Sequence, residues 1–191
     1  LSAYGKLQSA LTSLQTATAA LGKAATWNST TVNSTNTSFS AATTSDATVG
    51  NYTVNVSQVA TAQVLMSSSI ASNTAQLGGT TAGNTRTITI TQAGTKTPLT
   101  VQLADSDTSL TGIANAINKA GGNVSATVMK ATDGDYRLML TSKSTGTDYD
   151  MTVTVTGDDT LQQKIGHDST TTALGVQTAS QNAKVSDRTH V

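Results

Sequence analysis

The first 26 residues constrain this chain most, because their apolar side chains fall on a seven-residue repeat. Tyr4, Leu7, Leu11, Leu14, Thr18, Leu21 and Ala25 are spaced alternately three and four apart, which draws one narrow stripe along a helix. Ala, Gln, Lys, Ser and Thr fill the intervals and Pro is absent, so the helix should run until Gly22 weakens its last turn and Trp27-Asn28 ends it. An amphipathic helix lying on its own core is the plainer alternative. A seam this narrow, held in register for about three and a half heptads, instead needs a partner helix. No second segment repeats the pattern, so the partner is expected on another chain or in a part of the protein outside these residues.

Composition removes most chemistry. Lys plus Arg and Asp plus Glu are 11 each, so the net charge is zero and the basic stripe of a nucleic-acid protein is missing. There is no Cys, which excludes disulfides, thiolate metal sites and thiol nucleophiles. All eleven acids are Asp, so motifs that need Glu, such as the zinc-protease helix and the calcium EF-hand, fail. Phosphate-cradling glycine loops and serine-nucleophile motifs do not occur either. His167 and His190 carry no triad context. The pairs Asp105/Asp107, Asp133/Asp135, Asp148/Asp150 and Asp158/Asp159 read as turns and helix caps, since no full calcium loop surrounds them. No apolar run is long enough for a membrane span, and no signal peptide opens the chain. The first residue is Leu1, which reads as the start of a processed or excised fragment. No catalytic residue, cofactor or metal site is expected.

Thr makes up about a fifth of the chain, and it alternates with aliphatic residues at period two, which predicts strands. Residues 28–48 read as a loop leading to an irregular strand near Val32 and Phe39-Ser40-Ala41. Tyr52 to Ser57 form a clean strand, and Val59 breaks its parity. Arg86–Thr91 and Leu99–Leu103 make a hairpin. Leu110, Ile113, Ala114 and Ile117 take helical spacing, with Asp107 as the expected N-cap and Gly121-Gly122 as the stop. Val124–Val128 and Tyr136–Leu140 flank the tight turn Asp133-Gly134. Met151–Val155 is a strand, Asp158 or Asp159 caps a short helix with Leu161 and Ile165 inward, and 174–185 is a final strand region. The fold class is α+β, mainly antiparallel β.

The order of these segments resembles the flagellar filament cap family, also called hook-associated protein 2. The opening LSAYGKLQSALTSLQTATAAL is similar to the family's first heptad helix. Gly50 to Gln63, Ser109 to Asn118, Asp135 to Gly146 and Gln181 to Val185 are similar to its later motifs, in the same order. The resemblance covers residues 1 to about 185; the tail Ser186-Asp187-Arg188-Thr189-His190-Val191 departs from the family's strand. It implies a non-enzymatic structural protein, exported unfolded and secreted to the tip of the bacterial flagellum. The partners it implies are further copies of itself in a ring, a pentamer in the family, with flagellin, an export chaperone and host mucin besides. It divides the chain into a leg helix at 1–26, an inner head part at 27–69, an inserted outer head domain at 70–175 carrying one packed helix, and a return at 176–191. Tyr4, Leu7, Leu11, Leu14 and Leu21 are then the interface. Another secreted axial or adhesive protein, such as a hook-filament junction protein or a glycan-binding adhesin, is the alternative.

Overall fold

The computed structural model describes residues 3–23, 31–33, 40–44, 47, 50, 52–79, 83 and 85–189. The chain forms two compact units, residues 1–53 with 188–191 and residues 54–187. The first contains α1, Ala3–Leu21. It closes at Gly22, whose N–H donates to Thr18 O at 3.0 Å, where the sequence weakens the last turn. Ala25, Trp27-Asn28 and Phe39 lie outside the described residues. Val32, Ser40 and Ala41 are described and take no regular structure.

After α1 come β1 (Tyr52–Gln58), β2 (Val64–Ser67), β3 (Arg86–Thr91), β4 (Leu99–Leu103), α2 (Leu110–Ala120), β5 (Val124–Thr132), β6 (Asp135–Ser142), β7 (Thr152–Thr156), α3 (Asp159–Ile165), β8 (Leu174–Thr178) and β9 (Lys184–Thr189), of which the second unit takes all but the first two residues of β1 and the last two of β9. These strands make sheets of order β1-β9, β5-β6-β2-β8 and β4-β3-β7. β9 runs on to Thr189 and so includes the first residues of the tail. The mixed α+β class expected from the sequence is what forms.

Alternation decides which side chains are inside. In the three-stranded sheet Ile88 and Ile90 of β3 face Val101 and Leu99 on one side and Val155 and Val153 on the other. Thr87, Thr89 and Thr91 take the opposite face beside Thr156, Thr154 and Thr152. In the four-stranded sheet Leu65, Leu138, Leu140 and Leu174 are fully buried or nearly so. Both sheets contribute to one core with Leu110, Ile113 and Ile117 of α2 and Leu161 and Ile165 of α3. Burying each such side chain contributes roughly 1.5–3 kcal/mol, which is how a Thr-rich chain still folds. β2 lies between β6 and β8, so residues 64–67 pack with strands that come later in the chain.

Local chemistry fixes the ends. Ser109, not the expected Asp107, is the N-cap of α2: its hydroxyl accepts the Gly112 N–H at 3.1 Å. Asp107 instead ends a short 3-10 turn, Asp105–Asp107. Gly121 closes α2 at φ +75, a conformation that suits glycine. Gly134 turns the β5–β6 hairpin at φ +77. The Asn118 side chain closes part of β5's edge, donating to Ala126 O at 2.7 Å and accepting the Ala126 N–H at 2.9 Å.

Candidate functional site: the exposed seam of the first helix

α1 forms over the stretch that carries the heptad spacing, and none of its described residues is buried. Tyr4 is 77% exposed, Leu7 68%, Leu11 56%, Leu14 60% and Leu21 52%. Seventeen residues separate Tyr4 from Leu21, so the stripe is about 25 Å long at 1.5 Å per residue. Thr18, the one polar member of the stripe, turns its hydroxyl back to Leu14 O at 2.8 Å. Its polar atom is thus satisfied by the helix's own backbone, and the side chain adds a methyl group to the seam. Thr12, Ser13 and Thr16 likewise donate four residues back, to Gln8 O, Ser9 O and Thr12 O, each at 2.9 Å. α1 has no acidic residue in its first turn and no basic residue in its last. Lys6 is its one charged side chain, so a partner would be held by apolar burial and shape, with little help from ion pairs.

Arg86 and its acceptors form a second cluster, which no sequence motif marks. Arg86 begins β3 yet is 2% exposed. Its Nε donates to Asp158 Oδ2 at 2.5 Å, one Nη donates to Asp105 Oδ1, and the other donates to Gly79 O at 2.8 Å. Asp158 also accepts the N–H of Gly79 at 2.8 Å and, as N-cap of α3, that of Leu161 at 2.9 Å. Burial pushes the Asp158 carboxyl up, but Arg86 and the Leu161 and Gly79 amides outweigh it and hold the group below the usual carboxylate range. The Gly83 amide and then Arg86 do the same to Asp105. The cluster is saturated by its own partners. It ties the 77–79 segment to β3 and α3, a structural role.

The remaining candidates are placed as follows. His167 Nδ1 lies 2.7 Å from Leu174 O, and its backbone bridges Val153 of β7. Asp168 accepts the Thr170 N–H and hydroxyl and the Thr171 N–H, which lowers its pKa. His190 lies outside the described residues. Among the described residues no group of three or more His, Cys, Asp or Glu could hold a metal ion, and no helix is long and apolar enough to cross a membrane.

Comparison with known proteins agrees with this architecture. A family model described as Flagellar hook-associated protein 2 N-terminus matches residues 1–63, and one described as Flagellin hook IN motif matches residues 87–144. The Flagellar hook-associated protein 2 of Escherichia coli (strain K12) is 42% identical over 187 residues, 97% of this chain and 39% of that protein. Its counterpart from Salmonella typhimurium is 40% identical over the same length, 40% of that protein. The chain therefore spans about two fifths of the length of these relatives. A crystal structure of three domains of the Escherichia coli flagellar cap protein superposes with a TM-score of 0.72 at 39% identity, covering 98% of this chain and 53% of that one. A two-domain structure of the same protein gives 0.69 at 36% identity, covering 80% of this chain and 78% of that one. At these identities and coverages the chain belongs to the flagellar hook-associated protein 2 family.

Proposed function

We propose that this chain is part of a structural cap at the tip of the bacterial flagellar filament, outside the cell, acting by protein–protein contact and not by catalysis. Residues 1–26 serve as a leg whose seam of Tyr4, Leu7, Leu11, Leu14 and Leu21 is covered in the assembled cap. An inner head part built around β1 and β9 carries an outer head domain between them. Copies of the full-length protein associate in a ring, with flagellin entering beneath the head, and an export chaperone covers the protein before assembly. The observation that carries this reading is the seam itself: four leucines and a tyrosine, each more than half exposed, in one line along a helix. Covering the four leucines contributes up to about 6–12 kcal/mol, enough to hold a leg in an assembly. Gold-labelled full-length protein added to cap-less filaments tests the proposal by electron microscopy. Label is expected at the distal tips alone; label along the filament sides, or none, would overturn it.

A further inference from the structure

Two crossings carry the chain between the β1–β9 ribbon and the sheets beyond it, residues 59–63 leaving β1 and residues 179–183 returning to β9. They meet at one bridge, where the Thr61 N–H donates to Gln181 O at 3.0 Å and the Thr61 hydroxyl donates to Ala179 O at 3.0 Å. Both fasten to the same turn. The Gly146 N–H donates to Thr61 O at 3.0 Å. The Asn182 amide accepts the Thr147 N–H at 2.9 Å and donates to the Thr147 hydroxyl at 2.8 Å. The Ser180 hydroxyl donates to Asp150 Oδ1 at 2.5 Å. Gly146 makes room for this: it sits at φ +104, and a Cβ there would lie 2.7 Å from Asn182 Oδ1.

The turn is anchored behind by buried groups. Gln92 donates to Tyr149 O at 2.6 Å, and the Met151 N–H donates to Gln63 Oε1 at 2.7 Å. Gln63, the last residue of the first crossing, is buried and fixed to the sheets, but the rest of the two crossings bury no large side chain: they offer Ala60, Ala62, Ala179 and Ala183, and Val59 is 72% exposed. Asn182, Thr147 and Asp150 are all exposed. A junction held by accessible hydrogen bonds, each weak in water, opens at far lower cost than one held by a core. We propose that this neck is a latched hinge: Asn182 and Ser180, bonded to the 146–150 turn, hold the ribbon in one orientation, and their release lets it swing about the two crossings.

The chain has no Cys, so spin labels at Asn55→Cys on β1 and Thr100→Cys on β4 report the orientation by electron–electron resonance. The parent should give one narrow distance distribution. Ser180→Ala with Asn182→Ala should broaden it, raising the open population about tenfold, with the melting temperature of the sheets unchanged. Asn182→Asp keeps acceptors for the Thr147 N–H and hydroxyl and should stay narrow. A broad parent distribution, an unchanged double variant, an Asp variant as broad as the alanine one, or a lowered melting temperature in the double variant would each overturn the latch.

Discussion

Removing the Asp158 carboxylate breaks a buried ion pair and a helix cap in one step. Asp158→Ala takes one charge from a pair whose side chains are 2% and 3% exposed and leaves the Arg86 guanidinium buried with fewer acceptors. Breaking a buried ion pair from one side costs about 3–5 kcal/mol. The same change deletes the N-cap of α3, worth about 1 kcal/mol, and orphans the Gly79 N–H. These losses share atoms and do not add, so the expected total is about 3–5 kcal/mol. In a unit of this size that lowers the melting temperature by about 10–20 °C. Circular dichroism with urea and thermal melts measures it. The cycle with Arg86→Met is the sharper half of the test, because with both charges gone no ion is left stranded. The double variant should be clearly more stable than Asp158→Ala alone. A loss below about 1 kcal/mol for Asp158→Ala, or a double variant carrying the full sum of the two single losses, would refute the reasoning.

Three further outcomes rest on the same geometry. Asp105, Asp135, Asp158 and Asp168 all titrate below their ordinary value when folded, so the unfolded chain takes up protons first as pH falls. Stability should be level above about pH 5 and drop below about pH 4; a melting temperature that rises on acidification contradicts this. Gly112→Ala should destabilise α2 although alanine is the better helix former, because the new Cβ would sit 2.6 Å from Asp107 O; denaturant melts that show a gain would overturn it. A fragment spanning 70–175 should fail to fold cooperatively, since it lacks β2 and the buried Leu65 between β6 and β8, whereas 60–183 should melt as a unit by circular dichroism.

β3 and β7 were legible as strands because Ile and Val alternate with Thr in them, and the β5–β6 hairpin because Asp133-Gly134 names its own turn. α2 was legible from Leu110, Ile113, Ala114 and Ile117 and from the double glycine after it. β2 was hidden by a buried serine. Ser67 is 2% exposed and its hydroxyl accepts the Leu138 N–H at 2.9 Å, so the inward face of β2 offers one leucine and one serine and shows no apolar alternation in sequence. Ser109 and Asp107 are both good caps two residues apart, and only the backbone geometry chooses between them. Arg86 could not be read as buried, because its acceptors Asp105 and Asp158 stand 19 and 72 residues away. The seam was the reverse case: a heptad is wholly local, so its five residues could be named without knowing what covers them.

The central claim is that the seam works by being covered in the assembled protein. The direct measurement uses full-length protein carrying Leu11→Asp and Leu14→Asp, which places two charges in the middle of the stripe and touches no strand of the sheets. Filament tips are scored by electron microscopy and flagellin in the medium is measured alongside. The account predicts an unchanged β-rich circular dichroism spectrum, uncapped tips and flagellin lost to the medium; capped filaments and retained flagellin would contradict it.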